Sequence, residues 1–125
     1  MKMTFCEAIA RQEGWLVATS RARRNHNPGN IRAGYFANNH GAFGSDGAFA
    51  IFRTDQDGFN AMSELLEGWY HGDTVQQALT RYAPPSENNT PRYVADVCEW
   101  TGLTPTSLLT AYILAPPKLP PQSVA

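Results

Sequence analysis

From about Leu16 to Gly47 the chain shows no helical period, and this gap constrains the fold more than any other feature. The segment is rich in Gly and Asn, and it contains Asn27-Pro28-Gly29-Asn30, which is dense turn chemistry. A loop of this length inside a compact domain is either functional or disordered. Tyr35, Phe36 and Phe43 count against disorder, because disordered segments are poor in aromatic residues. The gap ends at the turn signal Ser45-Asp46-Gly47, and the run Ala48-Phe49-Ala50-Ile51-Phe52 reads as a short strand after it.

Before the gap, Thr4 to Trp15 reads as one short helix. Thr4 and Glu7 fit the reciprocal capping box, and Gly14 is the residue type usually found just past a helix end. Cys6, Ile9, Ala10 and Glu13 follow i, i+3, i+4, i+7 and share a face. Glu13 therefore ends an apolar stripe and is expected to point towards the core, with Trp15 close by. A carboxyl desolvated in this way holds its proton to unusually high pH. That property suits a general acid that protonates a leaving oxygen. The alternative is a partly buried Glu satisfied by backbone donors, since structural networks also perturb carboxylates.

After the gap the chain reads as helical. Asp55 to Tyr70 repeats Phe59, Met62, Leu65, Leu66 and Trp69 at helical spacing. Thr74 caps a third helix carrying Val75, Ala78, Leu79 and Tyr82, ended by Pro84-Pro85. Thr90 as cap and Pro91 at the first helical position open a fourth, with Val94, Val97 and Cys98 on its apolar face and Gly102 as its stop. Thr104-Pro105 repeats that start signal for a fifth helix through Leu108, Leu109 and Tyr112. The Pro-rich end from Ala115 onwards cannot continue a helix and is expected to be extended and peripheral. The expected fold class is mainly α, formally α+β, with a small β-element between the N-terminal helix and a helical lobe. One domain is expected over residues 1–115, followed by an extended tail over 116–125.

With 125 residues the chain is long enough to bury a core without staples. Its net charge of −1 gives no global case for nucleic-acid binding. Met1-Lys2-Met3-Thr4 leads directly into an amphipathic helix rather than a secretory signal. No run approaches the roughly 20 apolar residues of a membrane span. Synthesis in the cytoplasm and no stable membrane insertion are therefore expected. Cys6 and Cys98 are expected as buried free thiols. His26, His40 and His71 are isolated and show no metal-ligand spacing, so neither a metal nor a cofactor is expected.

Four stretches carry a resemblance when taken in order. They are Glu13-Gly14-Trp15, Asn27-Pro28-Gly29-Asn30-Ile31-Arg32, Gly47-Ala48-Phe49-Ala50-Ile51-Phe52, and Tyr82-Ala83-Pro84-Pro85-Ser86-Glu87-Asn88-Asn89-Thr90 with Tyr93. Together they resemble phage and bacterial peptidoglycan-cleaving domains of the lysozyme-like superfamily, over roughly Phe5 to Leu109. The resemblance implies a catalytic Glu at the end of the first helix. It also implies a cleft walled by a loop with a small β-element on one side and a helical lobe on the other. The implied activity is that of a muramidase, cleaving the β-1,4 bond between N-acetylmuramic acid and N-acetylglucosamine, with Glu13 protonating the glycosidic oxygen. Peptidoglycan glycan strands would be the partner, in the cell wall of the periplasm. Export as an endolysin through a holin and association with a virion both stay open.

Two routes also stay open. A lysozyme adds water, usually with help from a second carboxylate. A lytic transglycosylase lets the muramic acid's own C6 hydroxyl close on the anomeric carbon and needs one essential carboxylate. Glu7 belongs to the capping box, and Asp55 and Asp57 to the first turn of a helix, where the dipole favours anions. Asp96 and Glu99 fit a solvated face. Asp46 remains as the candidate second carboxylate, against ordinary turn chemistry, which is the preferred reading. The transglycosylase route is favoured accordingly. Asn30 either orients Glu13 or an N-acetyl group, or simply forms the turn. Tyr93 either hydrogen-bonds the sugar or Glu13, or packs in the core. Tyr35, Phe36 and Trp15 either stack on sugar rings or anchor core and loop. Arg21, Arg23 and Arg24 are either solvated or attract an anionic wall. A non-catalytic glycan-binding or virion structural domain is the main rival reading, ahead of a helical nucleic-acid binder.

Overall fold

Thr4 starts the first helix of the structure, a computed structural model that describes residues 2–121. Its hydroxyl accepts from the Glu7 amide at 3.1 Å, and the Glu7 carboxylate accepts from the Thr4 amide at 2.9 Å. Two N–H groups that a helix leaves unpaired are thereby satisfied, and α1 runs over Phe5–Gln12. Glu13 is its C-cap, and Gly14 follows at φ +92°, a left-handed conformation that favours glycine. Phe5, Cys6, Ala8, Ile9 and Ala10 are buried, so α1 sits at the centre of the molecule.

The expected gap contains more order than its sequence suggests. Two single helical turns lie in it, α2 (Arg21–Arg24), capped by the Ser20 hydroxyl, and α3 (Tyr35–Asn38). One turn holds no repeat, so no periodicity could reveal them. The expected strand shrinks to β2 (Ala50–Ile51), paired antiparallel with β1 (Gly44–Ser45) in the register Gly44↔Ile51 and Ser45↔Ala50. Ala48 and Phe49 are lost to β2 because their amides bind Asp46, at 3.0 and 2.8 Å. Asn27, fully buried, joins turn to sheet. Its Nδ2 donates to the Ile31 and Ala50 carbonyls, both at 2.9 Å, and its Oδ1 accepts from the Ile31 amide at 3.0 Å.

The helical half follows its caps. Helix α4 (Asp55–Tyr70) starts at Thr54, and α5 (Val75–Tyr82) at Thr74 with a capping box to Gln77. Helix α6 (Thr90–Thr101) is capped by Asn89, one residue earlier than expected, because the Thr90 hydroxyl is engaged by the Ala83 carbonyl. It ends at Gly102 with φ +80°. Helix α1 packs against α4 and α6. Phe59, Met62, Leu66, Leu79 and Val97 are among the fully buried side chains of the core.

The fifth helix expected from Thr104-Pro105 does not form there. Residues 104–107 make a turn, Leu108 bridges to Thr74, and only Ala111–Leu114 is helical (α7). The cause lies in α5, whose first amides, Val75 and Gln76, bind the carbonyls of Ser107 and Pro105. A segment that caps another helix in this way cannot use those carbonyls for its own. The C-terminal segment is extended as expected but docked rather than peripheral. Gln56 donates to the Pro117 carbonyl at 2.9 Å and accepts from the Leu119 amide at 2.8 Å. Residues 122–125 of the expected tail lie outside the described residues. Among the described residues no helix is long and apolar enough to cross a membrane.

Candidate active site

The end of α1 opens into a cleft of about 580 Å³ with Glu13 in its lining. One wall comes from the early loop and sheet, with Asn30, Arg32, Phe36 and Phe49. The other comes from α4 and α5, with Leu65, Trp69, Tyr70, Arg81 and Tyr82. Glu87 and Asn88, on the α5–α6 loop, complete it.

Burial pushes the Glu13 carboxyl above its ordinary pKa, and hydrogen bonds from Tyr93 and Asn30 only partly oppose that rise. The Tyr93 hydroxyl donates to Glu13 Oε2 at 3.3 Å. Asn30 Nδ2 also lies 3.5 Å from the Glu13 carbonyl oxygen. Asn30 takes the left-handed conformation at φ +47°, which asparagine tolerates better than most residues. Its Oδ1 is buried with no hydrogen-bond partner among the described residues. Tyr82 donates from its hydroxyl to the Gly29 carbonyl at 3.1 Å, tying the Asn27–Asn30 turn to α5. Burial raises the pKa of both Tyr82 and Tyr93, so both phenols stay neutral donors.

Glu13, Asn30 and Tyr93 therefore come together. Tyr93 is buried, so its two sequence readings, core packing and hydrogen bonding to Glu13, both hold. Tyr93 itself lies behind the cleft lining, and Trp15, Tyr35 and Asp46 also lie outside it. Trp15 packs edge-on against Phe59 at 5.4 Å, with the Arg23 guanidinium 4.5 Å above its ring. Tyr35 is 85% exposed on α3. Phe36 does line the cleft and stacks on His40 with centroids 3.9 Å apart.

Asp46 is a turn residue. Besides the Ala48 and Phe49 amides it accepts from Asn25 Nδ2 at 3.0 Å, and Arg21 Nε lies 3.4 Å away. The two backbone bonds do most to lower its pKa to about 2, followed by the Asn25 bond. Arg21 and Arg23 also lie over the rings of Phe49 and Trp15, so two of the three basic-run residues serve the loop's own packing.

Three further residues of the cleft escaped the sequence reading. Trp69 falls on the apolar stripe of α4 by its spacing, yet it is 64% exposed. Glu87 and Arg81 sit in a loop and at a helix end, and no local signal marks them as cleft residues. Among the described residues no group of three or more His, Cys, Asp and Glu side chains is placed to hold a metal ion.

The fold and site define a mainly α domain with a two-stranded sheet and a cleft that holds a desolvated carboxyl. Comparison with family models, with characterised proteins and with solved structures gives no match for this chain.

Proposed function

We propose that this protein cleaves the glycan strands of peptidoglycan, with Glu13 as the general acid. The observation that carries the reading is the setting of Glu13: a carboxyl whose pKa burial raises above its ordinary value, in the lining of an open cleft. Its place at the end of α1, between a loop-and-sheet wall and a helical wall, supports the lysozyme-like layout implied by the motif order.

In this reading Glu13 gives its proton to the glycosidic oxygen as the bond to the anomeric carbon breaks. The carboxylate that results is met by the Tyr93 hydroxyl and the Asn30 amide, and hydrogen bonds to the charged form are stronger than those to the neutral one. The muramic acid C6 hydroxyl then attacks the anomeric carbon, and Glu13 takes up the proton it loses. This closes a 1,6-anhydro ring and restores the acid. The single-carboxylate route is supported by Asp46, whose oxygens are taken up by the turn. Glu87 is the carboxylate that would serve the hydrolytic alternative, since it lines the cleft and is exposed.

Mass spectrometry of products from purified peptidoglycan tests both claims. Muropeptides with 1,6-anhydro ends, lighter by one water than hydrolysed ones, are expected from wild type, and none from Glu13→Gln. Reducing ends lost on Glu87→Gln would replace the route and keep the acid. No release by wild type would overturn the enzyme reading in favour of a glycan-binding domain.

A further inference from the structure

Trp69 is the largest side chain of α4, and the core does not use it. It lies one turn beyond Leu65 on the same helix face, and both line the Glu13 cleft. Its surroundings are fixed. The Tyr70 ring, 3% exposed, stands edge-on to the indole with centroids 6.1 Å apart and planes at 79°. Arg81 Nη2 donates to the Trp69 carbonyl at 3.2 Å and to the Asp73 carboxylate, while the guanidinium lies 4.9 Å from the Tyr70 ring centroid. Both hydrogen bonds use Nη2, so among the described residues Nε and Nη1 are left to donate to a ligand.

The cleft does not stop at this group. Trp69, Tyr70 and Arg81 also line an adjoining cavity of about 400 Å³, and Arg81 borders another of about 440 Å³ with Asp73, Gln76 and Thr80. The surface thus continues from Glu13, past an exposed indole, to a trough of amides, a hydroxyl and a guanidinium. A pyranose ring has the matching chemistry, with an apolar face of C–H groups for the indole and a rim of hydroxyls for the polar residues.

We propose that Trp69 is the stacking platform of a distal subsite, and that it holds another sugar ring of the same β-1,4 strand that Glu13 cleaves. Arg81 donates to hydroxyl or carboxylate groups at that sugar's edge. The proposal rests on the reading of Glu13 for the identity of the strand. It adds that the substrate is a polymer held well beyond the scissile bond.

Binding and turnover are measured separately. In the Glu13→Gln background, soluble peptide-free glycan strands are titrated by calorimetry. Trp69→Ala should weaken binding about tenfold, or roughly 1.4 kcal/mol. Trp69→Tyr, which keeps a flat ring, should recover most of the affinity. Trp69→Leu, which keeps apolar bulk without a flat face, should behave like the Ala variant. Melting temperatures of all three should stay close to the parent, because the side chain is exposed. Affinity within twofold of the parent for Trp69→Ala, equal affinities for the Tyr and Leu variants, or no binding by the parent itself would each overturn the platform. If binding depends on Trp69 but the wild-type enzyme releases no products, the platform stands and the catalytic reading falls. If turnover is normal and Trp69→Ala leaves KM for strands unchanged, the platform falls and the catalytic reading stands.

Discussion

At Glu13 one physical effect, desolvation, bears on stability and on the proposed reaction alike. The unfolded chain ionises this carboxyl near its ordinary value of 4.5, whereas the folded chain keeps the proton to higher pH because burial disfavours the charge. Between those two values the folded state binds more protons, so stability falls as pH rises and levels off above the folded pKa. Glu13→Gln lacks this loss. It should melt at or above the wild-type temperature at neutral pH and converge with it below pH 4 in a calorimetric series. A large drop in melting temperature for Glu13→Gln would mean that the charge is needed for folding. The proposed reaction needs the protonated form, so the basic limb of kcat/KM should lie above the range of an ordinary Glu. Tyr93→Phe removes a bond that favours the charged form and should move that limb to still higher pH. Asp46 has the opposite sign: its folded pKa is about 2, below the ordinary 3.8. Its contribution to stability is present above 3.8 and lost as pH falls towards 2. Because its bonds serve the turn, Asp46→Asn should slow turnover by less than about tenfold, while its loss of stability should be full above pH 3.8 and vanish towards pH 2. A far larger loss of rate would return Asp46 to the reaction. The inward position of Glu13 was legible in its sequence spacing. Whether Asp46 faced the cleft was not, because any turn before a strand looks the same in sequence.

Two glycines of α4, Gly58 and Gly68, separate local propensity from packing. Glycine in a helix interior is about 1 kcal/mol less favourable than alanine, so local propensity alone says that Gly58→Ala and Gly68→Ala should both stabilise. The packing separates them. A β-carbon at Gly58 would lie 2.1 Å from the His26 carbonyl oxygen and 2.6 Å from Pro28 Cδ, whereas one at Gly68 would meet nothing within 4 Å. Gly58 is where the turn that carries Asn30 rests on α4. Gly58→Ala should therefore destabilise by about 1–3 kcal/mol and lower turnover by displacing that turn. Gly68→Ala should stabilise by up to about 1 kcal/mol in the same thermal denaturation. Equal effects of the two substitutions would refute the close contact. Helices α4, α5 and α6 were legible because their caps and apolar stripes repeat over several turns. α2 and α3 were too short to show a repeat. The expected fifth helix failed because its Thr-Pro signal, valid for α6 within one residue, lies in a stretch whose carbonyls cap α5.

Across the whole molecule the two thiols report on how α1 is enclosed. Cys6 is fully buried with Leu114 O as its acceptor at 3.6 Å, and burial pushes its pKa up to about 12. Cys98 is free but only partly buried, which corrects the expectation of two buried thiols, and desolvation raises its pKa as well. A thiol reagent should label Cys98 slowly in the folded protein and Cys6 only on unfolding, as mass spectrometry of the labelled peptides would show. Rapid native labelling of Cys6 would mean that α7 does not close over α1. What could be read along the chain was whatever completes itself within one or two helical turns: the Thr4–Glu7 box, the Thr74 cap, the Gly102 stop, the stripe that ends in Glu13 and the Asn27–Asn30 turn. Such signals are local because a cap or turn bonds its own neighbours. The site is not local. Tyr93 reaches Glu13 across 80 positions, and Tyr82 holds Gly29 across 53. Trp69 turns outward although its spacing matches that of core residues, since a helix stripe is wider than the surface available to cover it. The approach of Glu87 to the cleft, the docking of the C-terminal segment on Gln56 and the contact of Pro28 with Gly58 likewise depend on how finished elements pack. Packing is settled by shape and by the buried polar groups that must find partners, and neither is encoded in any single stretch of residues.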